Sequence, residues 1–162
     1  MTRIEILPFA PAHRDAVLQL TVDAWTPVFA RTRDEVPGYV LDAFYPDGWE
    51  RRQRDDVAAM LDTDGARVHV ALVQSTLAGF LGLRFHPEDR MGEVHIVAVD
   101  PRFQRIGVGA ALLAHAERDV RARGLAMMMV ETMDDSGHAP ARRACEAAGY
   151  DRWPVARYFK RL

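Results

Sequence analysis

The sequence predicts a mixed α/β fold: a central, mostly antiparallel sheet flanked by helices, with one strand-helix-strand crossover. Three observations predict it. The apolar period changes from helical to alternating after Gly65, so helices come first and strands follow. Two alternating runs, "ARVHVALV" and "AGFLGLRF", are joined by the short turn "QSTL" and read as an antiparallel hairpin, with "EVHIVAV" as the next strand. A helix then leads into "AMMMVET", which is apolar on both faces, as a buried parallel strand is.

The elements follow in order. "RIEIL" is a first strand closed by Pro8, and a helix over about 11–24 places Val17, Leu20 and Ala24 on one face. The next stretch, "WTPVFARTRDEVPGYVLDAFYPDGW", carries six large aromatics and three prolines and shows little clean period. "WERRQRDDVAAML" is helical and ends near Asp62–Gly65. After the hairpin, "HPEDRMG" is a loop. A helix from about 108 to 123 bears Val108, Leu112, Leu113, Ala116 and Val120 as its stripe, with Gly124 as its stop. "APARRACEAAG" is a short helix with Pro140 in its first turn, and "VARYFKR" closes the chain as an alternating strand.

Composition bounds the function. A chain of 162 residues is one domain's length and buries a core without staples. A net charge of −2 gives no basic surface for nucleic acid or acidic lipid. Cys145 is the only cysteine, which excludes an intramolecular disulfide and a cysteine-only metal site. His13, His69, His86 and His115 lack metal-ligand spacing, so no metal is expected. "MTRIEILPFAP" has no signal-peptide core and no run reaches a membrane span, so the expectation is a cytoplasmic protein away from membranes. Lys160 is the only lysine among 21 Lys and Arg, the imprint of a GC-rich, bacterial-like genome.

The chemistry centres on "VDPRFQRIGVGAALL", residues 99–113. Gly107 and Gly109 stand at the mouth of a helix, where Gly costs up to about 1 kcal/mol relative to Ala. Either the backbone bends sharply there, with glycines serving helix-sheet packing, or a ligand approaches closely. A helix N-terminus offers unpaired N–H groups and about half a positive charge to an anion, and Arg105 adds a cation. A nucleotide P-loop would continue Gly-Lys-Ser/Thr, but Ala110 and Ala111 follow Gly109. A dinucleotide fingerprint needs a small third residue, and position 112 is Leu.

"HIVAVDPRFQRIGVGAALL" closely resembles the strand-turn-helix core of the GNAT acyltransferases, with Gln104, Arg105, Ile106, Gly107, Val108 and Gly109 in the place of that superfamily's Q/R-x-x-G-x-G/A motif. The order of elements is similar across nearly the whole chain. The resemblance implies a single GNAT-like acetyltransferase domain over residues 1–162 and acetyl-CoA as co-substrate. It implies that the pyrophosphate lies on backbone N–H groups from Arg105 to Ala110. It further implies that the pantetheine arm pairs like a strand along Val97, Ala98 and Val99.

Acyl transfer needs a neutral amine and a group to take its proton. Glu93 stands where GNAT enzymes with a catalytic glutamate can carry it, and a solvated strand-end carboxylate fits the position equally. His95, two residues on and on the same face, assists or replaces it, or is a half-buried strand histidine. Many GNAT members carry Asn and, seven residues later, Tyr before a Gly-aromatic pair. With Gly149-Tyr150 as that pair, these positions are His138 and Cys145, a departure from the pattern. His138 is a candidate cofactor contact or simply begins the helix, Cys145 is a candidate cofactor contact near the thiolate or a small core filler, and Tyr158 or water then stands in as proton donor. A covalent Cys145–His138 pair is disfavoured, since seven residues on a helix separate them by roughly 10 Å.

The aromatic stretch lies where GNAT proteins wall the acceptor site. Trp25, Phe29, Tyr39 and Tyr45 are the candidate acceptor contacts, with Asp34, Glu35, Asp42 and Asp47 as attractors of a cation. Core packing explains the same aromatics. The leading expectation is an N-acetyltransferase acting on a small-molecule or peptide amine by direct transfer in a ternary complex. The alternative is a catalytically silent CoA-binding regulatory module. A homodimer is compatible with the strand edges and apolar surface expected at both ends of the chain.

Overall fold

The computed structural model describes residues 3–162; Met1 and Thr2, which open the N-terminal stretch read above, lie outside the described residues. One sheet runs in the order β1 (Ile4–Pro8), β2 (Val68–Val73), β3 (Thr76–His86), β4 (Met91–Val99) and β5 (Met127–Val130). Neighbours are antiparallel except β4 and β5, which are parallel. A parallel pair needs a crossover, and α4 (Val108–Ala122) provides it. Between β1 and β2 lie α1 (Arg14–Thr32), α2 (Gly38–Phe44) and α3 (Trp49–Asp64), and α5 (Ala139–Ala147) follows β5. The mixed, mostly antiparallel sheet with helices on both faces is as the sequence predicts.

Each face of the sheet has its own core. Val17, Leu20, Val57, Met60 and Leu61 of α1 and α3 close over Val68, Val70 and Phe80. On the other face Val108, Leu112, Leu113 and Ala116 of α4 close over Ala71, Leu81, Leu83 and Val94. A strict period of two would put Val94, Ile96 and Ala98 on one face, yet Val94 joins the α4 core while Ile96 and Ala98 join the other. The register explains the switch. Gly82 pairs with Ile96 and Leu83 with Val94, which leaves His95 as an extra residue, a β-bulge in β4.

Three expectations need correction. The first helix does not stop at 24: Pro11–His13 form a 3-10 turn, and α1 continues through Pro27 to Thr32. Pro27 sits on the exposed side of the helix, where water can serve the carbonyl left without a donor. Pro27 therefore does not break α1, whereas Pro37 and Pro46 lie in the breaks on either side of α2. The closing strand is absent, since residues 150–162 adopt no regular element, with Trp153 87% and Tyr158 90% exposed. Alternation permits a strand but does not supply a partner edge. As a consequence β5 is an edge strand instead of a buried one, and Met127 is 52% exposed.

Candidate active site

β4 delivers the chain to the glycine turn through a rigid corner. Asp100 is buried; its backbone N–H donates to Ala78 O (2.9 Å). Its carboxylate accepts from Arg102 N (2.8 Å), Nε (3.1 Å) and Nη2 (2.6 Å). Those hydrogen bonds hold the carboxyl below the usual aspartate range despite burial. Beyond the corner Arg105 (φ 63°) and Gly107 (φ 95°) both adopt the left-handed region, which turns the chain into α4. Gly107 is favoured there by its conformation.

Gly109 is different. A Cβ at Gly109 would meet only Val99 Cγ2 at 3.7 Å, an ordinary contact, so packing within the chain does not call for glycine there. The first amide of α4 with a partner is that of Ala111, donating to Gly107 O at 2.9 Å. Among the described residues the N–H groups of Val108, Gly109 and Ala110 have none. Val108 is buried against the sheet, while Arg105 and Ile106 are exposed on the outer side of the turn. The result is an open, positive helix end faced by backbone alone.

β4 pairs with β5 only from Met91 to Val94. From His95 to Val99 it keeps β3 on one side, and the other edge lies open, with Gln104 Nε2 donating to Val99 O at 3.3 Å. Val97, Ala98 and Val99 thus lie on a strand edge that leads directly to the glycine turn. An extended ligand with amide groups can pair along that edge and end in a phosphate at the helix.

Glu93 has a side chain 18% exposed and faces His86 Nε2 at 2.7 Å, an unforeseen partner. The two sit diagonally across β3 and β4, which the letters cannot show without the register. His95 lines a cleft of about 310 Å3 together with Arg84 and residues of α3, among them Asp56, Thr63 and Asp64. Burial and the neighbouring Arg84 push its pKa down against the pull of Glu93, Asp64 and Asp56, so it is neutral at pH 7. Glu93 and His95 therefore stand together on the α3 face.

The residues after β5 are arranged otherwise. His138 Nδ1 lies 2.7 Å from Asp135 Oδ2, and Asp135 also accepts from Thr32 Oγ1 (2.7 Å) and Gly137 N (2.9 Å). Burial raises the Asp135 pKa, but the hydrogen bonds from Thr32, His138 and Gly137 outweigh it and leave the group below the usual range. A Cβ at Gly137 would lie 2.7 Å from Val28 O, so glycine permits this close approach to α1. The Cys145 thiol is half-buried, and burial followed by Glu146 raises its pKa. Tyr150 donates to Glu117 Oε1 on α4 (3.2 Å), and burial with that carboxylate raises its pKa too. Tyr158 stands in solvent on the tail.

Of the four aromatic candidates, Tyr45 lines a second cleft of about 180 Å3 with Phe44, Arg52, Gln53 and Asp56. Phe29 supports it edge-on at 5.2 Å and stacks on Trp49 at 4.5 Å. Trp25 packs against the α1–α3 core, and Tyr39 carries the Arg161 guanidinium at 5.0 Å. Among the expected acids, Glu35 is held by Ser136 and Asp47 lies 3.5 Å from Arg51. The acids on the cleft walls are instead Asp56 and Asp64, about two helical turns apart on α3, a pairing that no local motif marks. Among the described residues no group of three or more His, Cys, Asp or Glu is placed to hold a metal ion.

The comparisons with known proteins bear on this site. The family model of the acetyltransferase (GNAT) family matches residues 25–150. The chain is 29% identical to a mycothiol acetyltransferase of Acidothermus cellulolyticus over 98% of its length and 48% of that protein's. It is 36% identical to the mycothiol acetyltransferase of Thermomonospora curvata over 57% of this chain and 30% of that one. It thus spans less than half the length of these curated relatives. Among solved structures, the ribosomal-protein-S18-alanine N-acetyltransferase of Escherichia coli shares the fold with a TM-score of 0.66 at 19% identity, over 94% of this chain and 80% of that one. An aminoglycoside N-acetyltransferase solved in complex with CoA does so with a TM-score of 0.65 at 17% identity, over 100% and 97%. The chain belongs to the acetyltransferase (GNAT) family.

Proposed function

We propose that the protein moves an acetyl group from acetyl-CoA to a primary amine by direct transfer in a ternary complex, with residues 1–162 working as one acetyltransferase domain. The observation that carries this reading is the set of unpartnered N–H groups at Val108, Gly109 and Ala110, placed where the open edge of β4 ends. The relatives are named mycothiol acetyltransferases, which supports acetyl transfer.

In this reading the N–H groups of the glycine turn bind the pyrophosphate, with Arg105 and Gln104 beside it. Val97, Ala98 and Val99 align the pantetheine arm, and the thioester reaches the point where β4 and β5 part, beside His95 and Glu93. The amine nitrogen attacks the thioester carbon, the C–N bond forms and the C–S bond breaks. Glu93, oriented by His86, takes the amine proton directly or through water, and neutral His95 assists. In this reading the thiolate receives its proton from water, since Tyr158 stands in solvent, and a Tyr158→Phe variant is expected to keep the parent kcat. No helix among the described residues is long and apolar enough to cross a membrane, and the reading keeps the cytoplasmic expectation.

Titration of the protein with acetyl-CoA, beside a Gly107→Glu variant, tests the proposal. Saturable heat from the parent, lost in a variant that stays folded, is the expected result; no heat from the folded parent overturns it. A second reading, a silent CoA-binding module, is favoured by Cys145 at the position where many GNAT members carry tyrosine. Thiol release on an amine panel, abolished by Glu93→Gln, removes that alternative.

A further inference from the structure

The walls of the cleft beside His95 are charged, and their charges are unevenly matched. Asp56 is engaged by Arg52 Nε at 2.9 Å, Asp64 lies 3.7 Å from Arg67 Nη1, and Glu93 lies 2.7 Å from His86 Nε2. Arg84 lines the same cleft and is exposed to it, yet among the described residues no carboxylate lies within 4 Å of its guanidinium. It stands directly opposite Glu93 in the β3–β4 register. Cβ atoms so paired are about 4.5–5.5 Å apart, so a cation and a proton acceptor are presented side by side.

We infer that Arg84 is a specificity-determining residue that binds the carboxylate of the acceptor, and that the acceptor is an α-amino acid or a close analogue. The inference rests on the acetyltransfer reading above. In an α-amino acid the amine and the carboxylate share one carbon. A guanidinium holding the carboxylate in bidentate fashion therefore sets the nitrogen next to Glu93 and His95. An amine without a nearby anion leaves Arg84 unmatched and gains nothing from it. Asp56 and Asp64 on the walls each have an arginine partner, and Glu93 beside them has His86.

The experiment compares amino acids with their carboxamides as acceptors, reading thiol release at saturating acetyl-CoA for the parent, Arg84→Gln and Arg84→Lys. The parent is expected to favour the free carboxylates about tenfold or more in kcat/KM. Arg84→Gln should raise KM for carboxylates by that factor while leaving KM for carboxamides and for acetyl-CoA unchanged. Arg84→Lys should recover part of the loss. Equal use of both members of each pair by the parent, or an equal KM rise on both in Arg84→Gln, overturns the inference. Equilibrium binding of the same amino acids in the presence of CoA separates the two proposals. Binding that depends on Arg84 without turnover sinks acetyl transfer and keeps the carboxylate site, whereas binding that is absent or indifferent to Arg84 sinks the site.

Discussion

The strand-turn-helix from β4 to α4 and the wall formed by α2 and α3 meet at one candidate site but are built from different material. The first offers backbone: open N–H groups at Val108–Ala110 and a free strand edge from His95 to Val99. The second offers side chains, Tyr45, Asp56 and Asp64, each already engaged with a neighbour or with the core. A backbone site is specified by a few consecutive letters, because glycine conformation and helix ends are local properties. A side-chain site depends on which residues distant in sequence are brought together, and it can vary while the sheet stays the same. The contrast predicts that one region serves a fixed ligand and the other a variable one.

The largest expected effect tests the point where the two regions meet. Glu93→Gln should lower kcat by about 10²–10⁴-fold, the range of general base catalysis, with the acetyl-CoA KM unchanged. A kcat within a few-fold of the parent would move the base to His95 or water. Next, Asp135→Ala strips the acceptor from Thr32, His138 and Gly137 and should cost about 1–3 kcal/mol in denaturant unfolding, the penalty for leaving buried donors unpaired. It should leave acetyl-CoA affinity intact if His138 serves structure and not the cofactor.

Gly109→Ala sharpens the contrast most directly. The site has room for a Cβ, so the variant should be more stable by up to about 1 kcal/mol through helix propensity. In the proposed binding mode the same methyl group faces the pyrophosphate and should weaken acetyl-CoA binding in titration. Greater stability with unaltered affinity would mean that the first turn of α4 does not touch the cofactor.

The smallest effect concerns the sheet behind α4. His69 of β2 and His115 of α4 lie tilted against each other at 57° with centroids 4.4 Å apart, and His69 Nδ1 is buried without a partner among the described residues. Burial lowers both below their ordinary 6.5, with His115 and Arg123 adding to it at His69, Arg118 adding to it at His115, and Asp119 opposing at both. The unfolded chain then binds protons more readily below that value. The contribution to stability is complete above 6.5 and is lost as pH falls through the lowered folded values. Melting temperature should decline between about pH 7 and 5, and His69→Phe should flatten that decline.

Much of the fold was legible. The hairpin, the crossover helix and the glycine turn are local patterns, and their letters fall within a residue or two of β2, β3 and α4. The path of α1 through Pro27 was not, because a proline on an exposed helix face is tolerated and its exposure is set by packing. The alternation in "VARYFKR" carries no information about a partner edge, and the closing strand it suggests does not form. In the site, Gln104–Ala110 could be read ahead of the structure, whereas His86 beside Glu93 could not. A cross-strand diagonal exists only once the register is set.

By itself the sequence determined the turn: glycine at a left-handed position and small residues behind it force an open helix end wherever the chain folds. Tertiary structure alone decided what faces that turn. The bulge at His95 turns Glu93 and His95 toward α3, the parting of β4 from β5 opens the strand edge, and the pairing of every neighbouring acid leaves Arg84 unmatched. Each of these depends on register and on contacts between residues far apart in the chain, which no local pattern encodes.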